Sequence, residues 1–482
     1  MSSPGISAKP LILVVIDGLT PAMLERGFAD RRLPALGHLA TVGTYTRGTT
    51  VFPSLTPVCL TSIATGAHPD IHHVPHLAWY KRDERRIVEY GSSFAAMRAV
   101  GARRSMRDSI FNMSGAHVSA GATTVFEALE DAGITPAAIN FTCYRGRTRH
   151  RIRLPALAAK NRWYEAAYGP RRFFFFNLFE SDLTGAPLAV RSRVDGSIDA
   201  YAAAVGRWLV TRDGFDFLVF YLPDYDYASH AVGPEAAAAA LERADESLGV
   251  LMDAAGGPDA FLDRYAVLVC SDHGQSASRE TARLERAFPD LRVYAPRRAA
   301  DPEEADVVVT ASNRAGMVYR TSACRASARE LAERLDAEPA AATVLFREDG
   351  IAVARGDGVE LRFERDGDGW ATEGPAGVLD PVSRPRGLER AWHALACPTA
   401  GDVLVSAREG WEFTDLGGGH HVGGGSHGSL SAADSTVPFL SAGFEDAPLP
   451  DEPSVTDLAP AVLRHFSVPL PPSMRQVLAA RA

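Results

Sequence analysis

Apolar runs that end in acidic residues constrain the fold of this chain most. Leu11–Ile16 is a continuous run of β-branched and aliphatic residues, and it stops at Asp17-Gly18. Two similar runs also end in acidic and histidine residues: FDFLVFYLPDYD at 215–226 and YAVLVCSDH at 265–273. The pattern predicts strands that are buried on both faces of a largely parallel sheet, with a site at the carboxyl ends of the strands.

The predicted fold class is α/β, with a doubly wound, mainly parallel central sheet and helices on both faces. A chain of 482 residues suffices for one large domain with insertions, or for two or three domains. We assign 1–275 and 401–482 to the core, which resumes with the predicted strands DVLVSA and STVPFLSAG. We expect 276–400 to be an inserted α+β subdomain, because acidic and arginine-rich stretches separate short strand-like runs there. The arginine-rich segment 141–195, with the aromatic run Phe173–Phe176, is either a further cap segment or a solvated charged face.

Charge and cysteine content narrow the class of protein. The 50 basic and 59 acidic residues give a net charge of −9, which argues against a nucleic-acid polymer as the partner. The five widely spaced cysteines indicate neither a disulfide framework nor a Cys-x-x-Cys metal site. The first apolar run is too short for a signal peptide, and no stretch approaches the length of a membrane span. These features predict a cytoplasmic, reduced protein without membrane contact.

The stretch VFPSLTPVCLTSIATG at 51–66 predicts a loop that becomes a helix at a hydroxyl residue. We expect Thr56 as the N-cap, Pro57 as the first helical residue and Gly66 as the C-terminal stop. Thr56 would then lie at the positive end of a helix, where backbone N–H groups suit an anion. That position fits a nucleophile that attacks phosphorus, although the stretch taken alone favours a plain N-cap threonine.

A histidine-dense loop follows this helix, with His68, His72, His73 and His76 close together. The prolines and Asp70 between them indicate an ordered loop. We expect these histidines to line the pocket or to pack beside it, and metal ligation is the less favoured alternative.

The residues at the strand ends fall into two groups with the chemistry of metal ligands. One group is Asp226, His230 and a histidine from the glycine-rich loop at 417–430; the other is Asp17, Asp272, His273 and the Thr56 oxygen. Carboxylate and imidazole ligands without cysteine suit zinc or another divalent transition metal. Two such ions about 3.5–4 Å apart would hold the attacking and leaving oxygens of an in-line displacement. One ion would lower the pKa of the Thr56 hydroxyl, for which the sequence offers no other obvious base.

With these motifs collected, the sequence resembles the alkaline phosphatase superfamily. The similar branch is the type I phosphodiesterase/nucleotide pyrophosphatase family, which is grouped with phosphonoacetate hydrolase. The resemblance covers 8–275 and 400–482. Five motifs carry it, in the expected order: VVIDG at 14–18, FPSLTPVCLTSIATG at 52–66, DYASHAVGP at 226–234, SDHG at 271–274 and GGSHGSL at 424–430.

The resemblance implies a metal-dependent hydrolase of phosphate esters, above all of phosphodiesters, with Thr56 as the nucleophile and two zinc ions as the expected cofactors. The implied partner is a small phosphate ester or phosphonate. Asp226 is preferred to Asp224 for its spacing to His230, and the SHG context favours His427 over the other histidines of its loop. The implied ligands are Asp226, His230 and His427 for one ion, and Asp17, Asp272, His273 and the Thr56 oxygen for the other.

One departure from the family leaves the substrate group open. The nucleotide pyrophosphatases have an asparagine after the nucleophile helix that contacts a phosphoryl oxygen, whereas the corresponding segment HHVPHLAWY contains none. His76, or another residue of this loop, is the candidate substrate contact in its place. Two alternatives stay open: a phosphonate or phosphomonoester hydrolase, and a catalytically silent homologue that binds metal.

Overall fold

An eight-stranded sheet lies at the centre of the protein. The computed structural model describes residues 8–151, 166–175, 178–180, 197–296, 301–444 and 448–479. Within these residues, the strands of the central sheet follow one another in the order Thr44–Thr49, Thr436–Ala442, Ala266–Cys270, Leu11–Ile16, Phe217–Leu222, Pro136–Ile139, Arg172–Phe175 and Phe179–Glu180.

The middle of the central sheet is parallel. Leu11–Ile16 pairs in parallel with Phe217–Leu222 on one side and with Ala266–Cys270 on the other. Parallel pairing continues through Pro136–Ile139 to Arg172–Phe175. The strands at the two edges of the sheet pair antiparallel. The predicted α/β class with a mainly parallel sheet is therefore confirmed.

The strand Leu11–Ile16 contributes to apolar clusters on both faces of the sheet. Its odd-numbered residues pack into one cluster and its even-numbered residues into another, and the whole strand is buried. The first cluster includes residues of the helices Thr56–Thr65 and Leu458–His465, and the second includes residues of Pro34–Val42 and Ala238–Ala254. Burial on both faces explains why the sequence of this strand shows no apolar–polar alternation.

Helices lie between the strands of the central sheet along the chain. The segments 22–43, 122–140, 198–211 and 236–254 each contain at least one, and a further helix lies at the C-terminal end of the described chain. None of the described helices is both long and apolar enough to span a membrane. The α-helices are Pro21–Ala29, Pro34–Val42, Thr56–Thr65, Pro69–His72, Phe94–Val100, Ala102–Arg107, Val125–Asp131, Ile198–Val210, Asp224–Val232, Ala238–Ala254, Pro258–Arg264, Ala328–Asp336, Gly387–Leu395, Ala432–Ser435, Leu458–His465 and Pro472–Ala479, and Asp108–His117 is a π-helix.

A second sheet of seven strands lies in the later part of the chain. Its strands follow in the order Val307–Ser312, Ala315–Arg320, Val403–Ala407, Ala341–Glu348, Ile351–Gly356, Val359–Asp366 and Gly369–Glu373. Short two-stranded sheets complete the strands: Ala78–Lys81 with Arg86–Glu89, Thr148–Arg151 with Ala166–Gly169, Ser276–Ala277 with Gly425–Ser426, and Glu280–Ala282 with Trp411–Phe413.

The strand Val403–Ala407 belongs to this second sheet, and the prediction that it returns to the core is wrong. It pairs antiparallel with Ala315–Arg320 and with Ala341–Glu348. An apolar run is buried equally well by either sheet, so its composition does not identify its partner. The division of the chain into a core and a 276–400 insertion stays a prediction.

The aromatic run of the predicted cap segment also lies in a different part of the fold from the one that the sequence suggested. Arg172–Phe175 is a strand of the central sheet, where it pairs in parallel with Pro136–Ile139. Three phenylalanines in succession suit a strand that is buried on both faces. Much of the 141–195 segment, including Arg153 and Phe176, lies outside the described residues.

Candidate active site

Three parallel strands of the central sheet end at one edge and place acidic residues there. Asp17 directly follows Leu11–Ile16, and Asp272 follows Ala266–Cys270 after one serine. Asp226 lies in the first turn of the helix Asp224–Val232, which begins after the third strand. Exposure of these carboxylates is 3% for Asp17, 6% for Asp226 and 0% for Asp272. The fold therefore gathers three buried acids at one sheet edge.

Thr56 begins the helix Thr56–Thr65 but does not cap it. Leu55 is the N-cap, and no side chain makes a cap hydrogen bond, so the predicted N-cap role of Thr56 is wrong. The predicted stop is right, since Gly66 ends the helix with a left-handed backbone at φ 56°. The Thr56 Oγ1 lies 3.0 Å from Nε2 of His273 instead. The hydroxyl thus contacts His273, which lies beside Asp17 and Asp272, and makes no cap hydrogen bond to the backbone of its own helix.

The first predicted ligand group converges around His273. Its Nε2 lies 3.2 Å from Asp17 Oδ1 and 3.4 Å from Asp272 Oδ2. The Asp17 carboxylate is also held by a short hydrogen bond from the Tyr221 hydroxyl. Asp17, Asp272 and His273 form one of the side-chain groups whose ligand atoms all lie close enough together for one metal ion.

The second predicted group converges around Asp226. Its Oδ2 lies 3.2 Å from His230 Nε2, and its Oδ1 lies 3.9 Å from His427 Nε2. The rings of His427 and His273 stack at 3.6 Å, so the two groups adjoin. The ligand atoms of Asp226, His273 and His427 lie within 4.8 Å of one another. His273 thus stands between the two groups, although the sequence placed it in only one.

Backbone carbonyls orient the imidazoles of His230, His273 and His427 in the same way. Nδ1 of each ring lies at hydrogen-bond distance from a carbonyl oxygen, so that Nε2 is the atom that faces the carboxylates. Such a second hydrogen bond fixes ring orientation in metal-ligating histidines. Burial and the neighbouring His273 also lower the pKa of His427 well below its usual value. The carbonyls are those of Gly425 for His230 (2.9 Å), Ser54 for His427 (2.8 Å) and Gly274 for His273 (3.1 Å).

Burial and mutual charge shift the pKa values of the carboxylates and of His273. Burial raises the pKa of Asp272 well above its usual value, and the charge of Asp17 adds to this. Burial alone would lower the pKa of His273, but the Asp272 and Asp17 carboxylates raise it to about 10. At Asp226, burial opposes ionisation, yet the neighbouring His230 holds the pKa below its usual value. Acidic groups are therefore crowded together at this site, and a bound divalent cation would favour their ionised forms.

Comparison with known proteins identifies the family of the chain. The family model of type I phosphodiesterase / nucleotide pyrophosphatase matches residues 11–430. The chain belongs to this family. No curated protein sequence matches it at a significant level.

Solved structures with the same fold include phosphonoacetate hydrolase from Sinorhizobium meliloti 1021 in complex with phosphonoformate. It is 18% identical, with a TM-score of 0.56 and coverage of 100% of both chains. Murine ectonucleotide pyrophosphatase / phosphodiesterase 5 is 14% identical, with a TM-score of 0.57 and coverage of 96% of each chain. An inactive variant of the murine protein was solved in complex with AMP. At these identities the neighbours support the alkaline phosphatase-like fold of this family member.

A cavity of about 480 Å³ opens onto the family motifs. Thr56, Asp17, Asp226 and His230 are among the residues that line it. The described residues that line it include no lysine and no arginine. Its lining also includes the apolar residues Leu77, Ile110, Met113, Phe175 and Leu178.

Asn313 is the residue of this cavity that sequence reasoning missed. It lies in the turn between the strands Val307–Ser312 and Ala315–Arg320, with a left-handed backbone at φ 55°. Its Nδ2 lies 3.0 Å from His427 Nε2, and the residue lines the cavity. An Asn-Arg pair between two apolar runs is a turn signal, but nothing local to it indicates that the turn reaches the other motifs.

His76, the predicted substrate contact, is fully buried and is not among the residues that line the cavity. Its Nδ1 lies 2.9 Å from the carbonyl oxygen of Ala78. A role for His76 in substrate binding stays a prediction. His421 of the glycine-rich loop does line the cavity, where its ring lies 4.1 Å from that of His230.

Proposed function

We propose that the protein is a metal-dependent hydrolase of phosphodiesters that uses Thr56 as its nucleophile. The observation that carries this proposal is the position of the Thr56 hydroxyl, which lines the cavity and lies 3.0 Å from His273 Nε2. A threonine that only capped the helix would direct Oγ1 to a backbone N–H of the first turn, and Thr56 makes no such bond. Membership of the phosphodiesterase family supports the reaction class.

The donor atoms around Thr56 fit divalent metal ions, and we propose two zinc ions. Asp17 Oδ1 and Asp272 Oδ2 are buried and accept no hydrogen bond from the described residues. Each lies 3.2–3.4 Å from His273 Nε2, and ligand atoms of a tetrahedral zinc site with bonds of about 2.0–2.1 Å lie about 3.3 Å apart. Asp17, Asp272, His273 and the Thr56 oxygen would hold one ion, and Asp226, His230 and His427 the other. When bound, the ions lower the pKa of the nucleophilic hydroxyl and neutralise charge on the phosphoryl group.

Thr56 attacks phosphorus in line with the leaving oxygen. The bond between Oγ1 and phosphorus forms while the ester P–O bond breaks, and the leaving group departs as an alcohol. The phosphothreonine that remains still carries the second ester group, and water hydrolyses its bond to Oγ1 to restore the hydroxyl and release a phosphomonoester. The N-terminal end of the helix Thr56–Thr65 favours the negative phosphoryl group at this position. Asn313, which lines the cavity beside His427, would donate a hydrogen bond from its amide to a phosphoryl oxygen.

The cavity favours a diester over a phosphomonoester or a charged phosphonate. A diester carries one negative charge, whereas a phosphomonoester dianion or a carboxylate-bearing phosphonate carries more. The described lining has no lysine or arginine to bind the additional charge, and its apolar residues, Leu77, Ile110, Met113, Phe175 and Leu178, suit an apolar ester group. Phosphonoacetate hydrolase and the AMP complex among the structural neighbours make phosphonates and nucleotides the necessary comparison substrates.

Hydrolysis of matched aryl esters tests this function. Bis(4-nitrophenyl) phosphate, 4-nitrophenyl phosphate, 4-nitrophenyl phenylphosphonate, phosphonoacetate and a nucleotide 4-nitrophenyl ester are compared at fixed zinc. We expect the highest kcat/KM for a diester and loss of the activity with a chelator, with recovery on adding zinc. If the zinc-loaded protein hydrolyses none of these substrates, the result supports the catalytically silent homologue. If it prefers phosphonoacetate, the result supports the phosphonate alternative.

A further inference from the structure

A third cluster of side chains with the chemistry of metal ligands lies outside the two groups described above. It forms where the histidine-dense loop meets the helix Gly387–Leu395, and it consists of His68, Glu389 and His393. One ligand atom from each residue lies within 4.8 Å of the others. Exposure is 2% for His68, 8% for Glu389 and 9% for His393. We propose that these three residues bind a structural zinc ion.

The geometry of His68 and Glu389 suits a tetrahedral ion. His68 Nε2 lies 3.4 Å from Glu389 Oε1, close to the separation of about 3.3 Å that zinc bonds of about 2.0–2.1 Å require. The other oxygen of the carboxylate, Oε2, is held 2.6 Å from Arg386 Nε. Oε1 is therefore the oxygen that faces the histidine. Two imidazoles and one carboxylate, without cysteine, form a ligand set that zinc accepts.

Asp70 orients His393 as a carboxylate commonly orients a metal-binding histidine. Its Oδ2 lies 2.9 Å from His393 Nδ1. Because the carboxylate accepts this hydrogen bond, the proton is on Nδ1 and the lone pair of Nε2 is available for a metal. The rings of His393 and His68 lie parallel at 4.1 Å. The second oxygen of Asp70, Oδ1, is buried and accepts no hydrogen bond from the described residues.

The ion would join segments that are distant in sequence. His68 and Asp70 belong to the N-cap and first turn of the short helix Pro69–His72, which follows the nucleophile helix. Glu389 and His393 belong to a helix of the predicted insertion. The free energy of metal binding would add to the stability of this contact, because the unfolded chain has no preformed site. The role inferred is structural and does not depend on the function proposed above.

Zinc counting in the full chain tests the site. The Asp226→Asn/Asp272→Asn variant removes two proposed active-site ligands, so that the remaining zinc reports on the new cluster. In this background we expect about one tightly bound zinc per chain by mass spectrometry of the metal, lost when His393→Gln or Glu389→Gln is added. His73→Gln is the matched control, because His73 lies on the same loop and contributes no ligand to the cluster.

In the chain with an intact active site, His393→Gln should lower the zinc content by about one ion per chain and remove part of the zinc-dependent rise in Tm. Phosphodiester hydrolysis should persist in this variant, which separates this site from the proposed active site. If the variants fail to fold, anomalous diffraction at the zinc edge from the wild-type protein locates the ion directly. Equal zinc content with and without His393 and Glu389, or no anomalous peak at the cluster, would overturn the proposal.

Discussion

Thr56 Oγ1 lies 3.0 Å from His273 Nε2, although 217 residues separate them in the sequence. The helix Thr56–Thr65 and the parallel strand Ala266–Cys270 bring them together at one edge of the central sheet. Leu55 is the N-cap, so the threonine hydroxyl does not cap the helix, and Thr56 lines the cavity. This contact joins the predicted nucleophile to the predicted metal ligands, and the account of the active site depends on it.

Asn313→Gly should impair catalysis without removing metal. Glycine tolerates the left-handed backbone at φ 55°, so the substitution deletes the amide without straining the turn. If the amide donates to a phosphoryl oxygen, kcat/KM for a diester should fall about 100-fold. Asp349→Gly is the matched control, because Asp349 also has a left-handed backbone, at φ 52°, in a turn of the second sheet. Full activity of Asn313→Gly would show that Asn313 serves only to form the turn and does not contact the substrate.

Glu89 should make the protein less stable as the pH rises. Burial raises the pKa of this carboxyl to about 7, although it accepts hydrogen bonds from the backbone N–H groups of Gly91 and Ser92. The folded protein therefore holds a proton that the unfolded chain releases near pH 4.5, so the free energy of unfolding falls between pH 4.5 and about 7. The loss at Glu89 is at most about 3 kcal/mol.

Glu89→Gln should remove this part of the pH dependence, because glutamine stays neutral and still accepts a hydrogen bond. The measurement is urea unfolding at half-unit steps between pH 4.5 and 8. The exposed Glu373→Gln serves as the control and should follow the wild type. Parallel curves for Glu89→Gln and the wild type over this range would show that Glu89 does not titrate as described.

Arg314 and Asp434 form a buried ion pair whose loss should destabilise the protein. Both side chains are fully buried, and Nη1 of the arginine lies 3.2 Å from Oδ1 of the aspartate. Arg314→Met should cost about 3–5 kcal/mol in the free energy of unfolding, because it leaves the Asp434 charge buried and unpaired. Adding Asp434→Asn should recover part of this loss. The more exposed pair of Arg408 and Asp357 provides the control, where Arg408→Met should cost less than about 1 kcal/mol.

An additive double variant at 314 and 434 would contradict coupling between the two charges. The pair also bears on the active site, since the backbone N–H of Arg314 donates to the carbonyl oxygen of His427 at 2.8 Å. Some loss of diester hydrolysis should therefore accompany the loss of stability in Arg314→Met but not in Arg408→Met.

Much of the core of the fold is predictable because its signals are local. The strand Leu11–Ile16, the acid that follows it and the glycine that ends the helix at Gly66 each depend on neighbours in sequence. The sheet to which Val403–Ala407 belongs depends on pairing with Ala315–Arg320 and Ala341–Glu348, which an apolar run does not encode. For the same reason the sequence suggested a cap where Arg172–Phe175 forms a strand of the central sheet.

The candidate site shows the same division between local and distant information. Asp226 and His230 are one helical turn apart, so their proximity follows from the sequence. Asn313 reaches His427 only because a hairpin of the second sheet lies against the glycine-rich loop. The place of Thr56 one residue inside the helix depends on the backbone of Leu55, which the sequence did not reveal. The cytoplasmic location and the role of His76 stay predictions.

Trapping the phosphorylated enzyme tests the central claim most directly. The zinc-loaded protein is mixed with excess bis(4-nitrophenyl) phosphate, quenched with acid during turnover and digested, and the peptide that contains Thr56 is analysed by mass spectrometry. We predict a 4-nitrophenyl phosphate ester on Thr56, no label on that peptide in Thr56→Ala, and a labelled serine with partial activity in Thr56→Ser. Full activity of Thr56→Ala, or label on a different residue such as Ser54 or Thr61, would contradict the account even if both zinc ions were bound.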